Sequence, residues 1–510
     1  MFPPRRGLPR AAAVALIAVF VLNGCDGGDS NGTPSPVIQA PTGLSYPTPP
    51  TYFVGAAIDT LTPTVTGLPT AYSVSPALPP GLTLNPTYGW ITGTPTVPTP
   101  TASYVIRAEN AGGAASTSLP ITVDPPAPVL RLEPISGTTI GMGQVLDLDV
   151  AYKSLSTDPY PTYVDNDQVA WNSSQPAIAT VGPDGVVSGV SQGTTMITAS
   201  YRSLSKQVPI GVGGTYLNRE VTVPGQGSRR YAMLSPSGVA AGKPLPVLVT
   251  MHGGGGTARI QASTSLLSAL AQTRKVLVVY LEGSGVIQTF NAGSCCGYAQ
   301  TNQVDDVTYV RAVLDDLAVR DVIDPARIYA TGFSNGGMMA HRLACALADR
   351  LAGIAAIAGA SGQFDKDLNQ FYACNPARPI PILHVHATND RNYPLTGGVG
   401  SGISSTNFYP VASTVSDWIV RNNVTAQAVT EFPSPTTICV RYASPADAAK
   451  PSAPVTLCTV DPPDVYDPTT EVVFGGGHSW PGGNRSPSPA SDVPVTDFSA
   501  NDYMWRYFGN

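Results

Sequence analysis

Gly332-Phe333-Ser334-Asn335-Gly336 lies between the apolar run Arg327-Ile-Tyr-Ala-Thr331 and the segment Gly337-Met-Met-Ala-His-Arg-Leu343. The order predicts a strand, a sharp turn and a helix, which is the setting that a G-x-S-x-G nucleophile elbow requires. Glycines on either side let the turn close and the helix pack near the strand, leaving the Ser334 hydroxyl at the strand tip. A serine hydroxyl is a weak nucleophile until a base takes its proton, and the base needs a group to orient it.

Outward from the elbow, Pro246–Met251, Lys275–Leu281, Arg327–Thr331, Ile354–Ala358 and Ile380–Val385 read as buried strands alternating with helical stretches. One of these, Asp305–Val319, places Val310, Val313, Leu314 and Leu317 on one face. Such alternation predicts a mostly parallel sheet covered by helices on both sides over 216–510, with its chemistry on loops after the strand ends. Before it, 40–124 has short alternating runs, Pro/Gly turns and strands at Ser103–Ala108 and Ser118–Val123. Leu78-Pro-Pro-Gly-Leu-Thr-Leu84 and Gly89-Trp-Ile-Thr-Gly-Thr-Pro95 resemble the Putative Ig repeat of bacterial surface proteins. Pro125–Pro128 reads as a stiff linker. In 129–212, the runs Val169–Val181, Gly185–Val190 and Gly193–Ala199 resemble the bacterial Ig-like group 2 module. Two N-terminal all-β Ig-like sandwiches are therefore expected. Neither holds a cluster of ionisable residues, so a spacer or a weakly adhesive surface is the expected role.

The chain has 510 residues, which implies roughly two to four domains. Charged residues are 12%, with 51 Gly and 50 Pro, so turns and short strands should abound, while 43% hydrophobic content argues against disorder. A net charge of −6 without an internal basic run excludes nucleic acid as an expected partner. Residues 1–25 read as an export signal: Arg5, Arg6 and Arg10, then the apolar Ala11–Leu22. Leu22-Asn-Gly-Cys25 resembles a bacterial lipobox with an unusual Asn23, which implies lipidation of Cys25, membrane anchoring and a flexible tether over 26–39. Ordinary cleavage and free secretion is the other reading. The remaining six cysteines are even in number and suit an oxidising compartment. Cys439 and Cys458 are expected to pair locally, whereas Cys295 and Cys296, as neighbours, are each expected to pair with Cys345 or Cys374. No metal-ligand spacing is present.

Five histidines compete for the role of base. His252 follows the first strand, His341 lies on the elbow helix, and His384 and His386 share one strand face around the acid. His478, in Gly475-Gly-Gly-His-Ser-Trp-Pro-Gly-Gly483, is late in the chain and on a loop after a strand, as the order Ser, acid, His demands. Asp390, three residues past the strand Ile382–Ala387, is the expected acid; Asp461, Asp464 and Asp467 are rivals. The Asn335 N–H and one from His252-Gly-Gly-Gly-Gly256, expected at Gly254, would form the oxyanion hole. These motifs, with Ala292-Gly-Ser-Cys-Cys-Gly297, Val304-Asp-Asp-Val307 and His386-Ala-Thr-Asn-Asp390, resemble the poly(3-hydroxybutyrate) depolymerase and feruloyl esterase group of α/β-hydrolases. The resemblance implies a secreted serine carboxylesterase with Ser334, Asp390 and His478 as triad. Ala387 stands where that group usually has glycine.

Either a polyester or a hydroxycinnamoyl ester would suit as substrate. Trp480, Tyr298 and Tyr393 are the expected pocket aromatics, and no cofactor is needed. Peptidase or acyltransferase chemistry could use the same triad. In a reading of another class, the Ig-like modules make an adhesion protein whose hydrolase-like domain is inert.

Overall fold

The computed structural model describes residues 38–509 except for short segments at 126–127, 135–136, 155–161, 362–363, 366–369, 372, 402–405, 426, 446–449, 463–464, 468–471, 475–476 and 486–491. The expected signal, Cys25, most of the tether and Asp464 lie outside the described residues. The chain divides into two units, 1–125 and 126–510.

In the first unit, the strands Thr99–Asn110 and Gly113–Asp124 form a long antiparallel hairpin. Alternation sends Tyr104, Ile106 and Ala108, with Leu119, Ile121 and Val123, into one core against Leu82 and Ile91 of a second, shorter hairpin. Period-two burial of this kind is the mark of a half-buried sandwich strand.

The second unit is built on a 13-stranded sheet. Its centre is parallel, in the order Leu277–Leu281, Leu245–Met251, Ile323–Phe333, Gly353–Ile357, Ile382–Ala387 and Val455–Val460. Successive residues face opposite sides. Val247, Val249 and Met251 meet the helices Asp306–Arg320, Asn335–Ala346 and Val411–Arg421. Leu248 faces Ala258–Ser265, Leu267–Arg274 and Ala500–Tyr507. Burial on both faces explains why these strands read as unbroken apolar runs. The order reverses direction beside the elbow strand, so the loops that carry chemistry gather at its carboxyl end.

The expected boundary at 212–216 is crossed by a single strand. Leu204–Val223 pairs with Gly193–Tyr201 of the Ig-like module through its first half and with Gly227–Ser235 of the hydrolase through its second. Gly213 and Gly214 sit at the crossing and let Gln272 approach, whose Nε2 donates to the Gly213 carbonyl at 2.7 Å. Leu266 of the hydrolase completes the module's core beside Ile210 and Val212. The polar contacts continue toward the site: Asp147 accepts from Arg259 at 2.6 Å, its N–H donates to Ser263 Oγ at 3.0 Å, and Asn484 donates to its carbonyl at 2.7 Å. Arg485 lies 3.8 Å over the Tyr163 ring. The second module is thus packed on the hydrolase as one folded body.

One cysteine expectation is corrected. Cys439 bonds Cys458 across an antiparallel strand pair, as expected, but Cys345 bonds Cys374 and the neighbours Cys295 and Cys296 bond each other. The reason is placement. Cys345 lies in the last turn of the elbow helix with its Cα 4.9 Å from that of Cys374, inside disulfide range, which among the described cysteines leaves the two neighbours one another.

Candidate active site

The elbow is a junction of close approaches. A Cβ on Gly332 would overlap the Gly336 carbonyl, and one on Gly336 would overlap that of Met251. Both positions therefore require glycine for the helix to lie against the sheet. Ser334 itself adopts φ 53°, a left-handed conformation unusual for a residue with a side chain. Such strain, held by the surrounding packing, points its hydroxyl away from the helix.

The hydroxyl meets the expected base. His478 Nε2 lies 2.9 Å from Ser334 Oγ, and His478 Nδ1 lies 2.8 Å from Asp390 Oδ2. Residues separated by 144 and 88 positions are brought into one continuous line. Asp390 is 4% exposed. Burial alone would raise its carboxyl, but the His478 charge and hydrogen bond, the His386 ring and the Tyr393 N–H at 2.8 Å hold it low. For His478 burial acts downward, and the Asp390 charge and hydrogen bond, with a smaller contribution from Asp492, outweigh it and raise the imidazole. A carboxylate that stays ionised beside an imidazole ready to accept a proton is the electrostatic arrangement general-base chemistry needs.

Asp492 was not anticipated. Its Oδ2 accepts the His478 backbone N–H at 2.5 Å and so pins the histidine loop rather than the ring. No motif marks it; a lone aspartate 14 residues downstream carries no sequence signal. Among the rivals, Asp461 is exposed and accepts the Thr388 hydroxyl, while the carboxylate on His478 Nδ1 is that of Asp390. The side chain of Asp467 lies outside the described residues.

His252 proves to be a scaffold residue. Its Nε2 accepts the Gly283 N–H at 3.0 Å, so Nδ1 carries the proton, donated to the Gly253 carbonyl at 2.7 Å. Burial lowers its pKa to about 4, so the ring stays neutral and shapes the glycine turn. Within that turn the N–H groups of Gly255 and Gly256 are bonded to Gln288 and Gly253. Among the described residues those of Gly253 and Gly254 have no protein acceptor. Gly253 is the nearer to the nucleophile, since a Cβ there would stand 3.2 Å from that of Ser334. Asn335 opens the elbow helix, where the first amides have no intrahelical partner. Its side chain is tied to Phe290 by two hydrogen bonds, at 2.7 and 2.9 Å, which fixes the loop facing the serine.

Two of the three expected pocket aromatics are corrected. Trp480 is buried with Val495 and Phe498, its Nε1 donating to Asn501 at 3.0 Å. Tyr393 is buried against Phe408, and its hydroxyl donates to the Tyr409 carbonyl at 2.9 Å. Large apolar rings complete the core where a closed helix–sheet interface is available. Tyr298 is 52% exposed, near the exposed Val286 and Ile287, which flank the glycine turn.

The fold and this geometry define a serine hydrolase of the α/β class. A family model described as Phospholipase/Carboxylesterase matches residues 239–402; a Putative Ig domain matches 30–124 and a Bacterial Ig-like domain (group 2) matches 151–212. The chain is 32% identical over 285 residues to "Putative esterase NocK" of Nocardia uniformis subsp. tsuyamanensis, covering 55% of this chain and 78% of that protein. It is 29% identical over 257 residues to Feruloyl esterase B of Piromyces equi, covering 49% and 42%. With Poly(3-hydroxyalkanoate) depolymerase C of Paucimonas lemoignei it shares 30% over 144 residues, covering 27% and 33%. The chain therefore spans less than half the length of two of these relatives. It belongs to the group of carboxylic-ester hydrolases with the α/β-hydrolase fold that includes feruloyl esterases and poly(3-hydroxyalkanoate) depolymerases.

Proposed function

We propose that this protein is an exported serine carboxylesterase that cleaves hydroxycinnamoyl esters through an acyl-enzyme. The observation that carries the proposal is the unbroken line from Ser334 Oγ through both ring nitrogens of His478 to Asp390. His478 takes the hydroxyl proton as Oγ bonds to the ester carbonyl carbon, and Asp390 stabilises the resulting imidazolium. The amide of Asn335 and one from the turn Gly253–Gly254, whose two N–H groups have no protein acceptor among the described residues, would face the oxygen that becomes negative. The alcohol leaves with the proton from His478. Water then repeats the sequence on the acyl-enzyme, releasing the acid and restoring serine.

The names of the relatives and the exposed Val286, Ile287 and Tyr298 beside the glycine turn favour an aromatic acyl group over a small one. Polyester is the second reading, supported by the depolymerase relative and the same apolar rim. Three disulfides support export, and a lipid on Cys25 would tether the enzyme to a membrane. Turnover of short p-nitrophenyl esters by the wild type and Ser334→Ala tests the chemistry, and equal rates would overturn it. Methyl ferulate against poly(3-hydroxybutyrate) film separates the two substrates. Labelling with radioactive palmitate, lost in Cys25→Ala, tests the anchor.

A further inference from the structure

The reaction above uses one histidine, yet three more are buried in series behind the acid. Trp418 Nε1 lies 3.0 Å from His341 Nδ1, and His341 Nε2 lies 3.1 Å from His384 Nδ1. His384 Nε2 lies 3.1 Å from His386 Nδ1. The series ends at His386 Nε2, 2.8 Å from the Tyr393 carbonyl and 3.5 Å from Asp390 Oδ2. None of the three histidines is more than 1% exposed.

The two ends fix every proton between them. Indole nitrogen can only donate, and a carbonyl oxygen can only accept. With Nδ1 of His341 accepting, its single proton must sit on Nε2, which makes Nδ1 of His384 an acceptor, and the same step repeats at His386. Each neutral ring is thereby locked as its Nε2–H tautomer. A charged ring would place two N–H groups head to head somewhere along the line. Burial lowers all three, aided at His341 by Arg421, at His384 by its two neighbours, and at His386 by His478 against the opposing Asp390 charge. Because the indole cannot take up a proton, the line has no exit and cannot conduct one. What it does is orient.

We propose that Trp418, His341, His384 and His386 are positioning residues, a one-way hydrogen-bond line that clamps the Tyr393 peptide and, through its N–H and the His386 ring, the carboxylate of Asp390. The line joins three separate elements to the acid loop: the elbow helix that begins after Ser334, the helix Val411–Arg421 and the strand Ile382–Ala387. It would thus hold nucleophile and acid in common register. This inference rests on the triad reading above.

Two measurements separate it from that reading. Ring-nitrogen NMR of histidine-15N-labelled protein should show His341, His384 and His386 as Nε2–H tautomers that do not titrate between about pH 5 and 8. The same pattern is expected in Ser334→Ala, where turnover is absent. An Nδ1–H tautomer or a titrating ring among the three would overturn the line, whatever the activity. Trp418→Phe removes only the donor end, and the Tyr393 carbonyl should still hold all three rings as Nε2–H tautomers; a shift of His341 to Nδ1–H in that variant would refute the direction assigned. In kinetics, His386→Leu should lower kcat by about 10- to 100-fold with KM unchanged, the scale for a displaced catalytic group. His386→Gln, which keeps an N–H near the Tyr393 carbonyl, should recover most of that loss. A folded Leu variant within about twofold of wild type, or a Gln variant no better than Leu, would overturn the positioning role. If the Leu variant does not fold, Trp418→Phe and the Gln variant decide.

Discussion

Replacing Asp390 by asparagine isolates what the buried carboxylate does. Its Oδ1 accepts the Tyr393 N–H at 2.8 Å, so the asparagine carbonyl must take that place. The amide NH2 then occupies the Oδ2 position, facing His478 Nδ1 at 2.8 Å and the His386 Nε2–H at 3.5 Å. Turning the amide over would set its NH2 against the Tyr393 N–H instead. His478 relieves the conflict by moving its proton to Nε2. That nitrogen lies 2.9 Å from Ser334 Oγ and would now donate where it must accept. The base is lost through the wrong tautomer, a change on the order of 10,000-fold in kcat, or about 5.5 kcal/mol. Asp492→Asn is the internal control. Its carbonyl can still accept the His478 backbone N–H, so only charge is removed and the expected loss is below about tenfold. Both are read as kcat and KM on p-nitrophenyl acetate, with thermal unfolding as a check on folding. An Asp390→Asn enzyme keeping more than about a tenth of wild-type kcat, beside a crippled Asp492→Asn, would move the acid role to Asp492 and refute the reasoning.

Three further outcomes follow from the same structure. Because Asp390 raises the His478 imidazole above 6.5 against the effect of burial, kcat/KM should fall as pH drops through a midpoint above that value. The imidazolium–carboxylate pair also adds stability that is full below 6.5 and is lost as pH rises through the raised value; a kinetic midpoint below about 6 would contradict this. Asp149 is half-buried, and its pKa rises from 3.8 to about 6, with desolvation first, Arg485 opposing, and Glu133 and Asp147 adding. Its native state holds the proton more tightly, so stability is lost as pH rises from 3.8 through about 6, and Asp149→Asn should stabilise the protein at pH ~8 by up to about 3 kcal/mol, read by denaturant melts at pH ~5 and ~8. Finally, a chain starting at residue 126 should fold and keep wild-type turnover of p-nitrophenyl acetate, whereas one starting at 216 should not fold, because it cuts the strand Leu204–Val223 and uncovers Leu266.

Local signals carried much of this protein. The elbow could be read from Gly332–Gly336 because strained turns and close packing demand particular residues at fixed spacing. The parallel strands could be read because double-sided burial makes them continuous apolar runs. His478 and Asp390 followed from the order in which loops leave such a sheet. Less legible were features set by what faces what. Trp480 and Tyr393 look like pocket aromatics in sequence, and only packing against Phe498 and Phe408 turns them inward. Gly213 and Gly214 suggest a break, yet the strand pairs on both sides of them.

By itself the amino-acid order determined the fold class, the nucleophile turn and the loops on which base and acid must stand, because each depends on short-range geometry or on periodicity. Tertiary structure alone decided the partners of Cys295, Cys296, Cys345 and Cys374, the union of the second Ig-like module with the hydrolase, the hold of Asp492 on the histidine loop and the direction of the buried imidazole line. Those depend on distances between segments far apart in the chain, and such distances exist only once the core has closed.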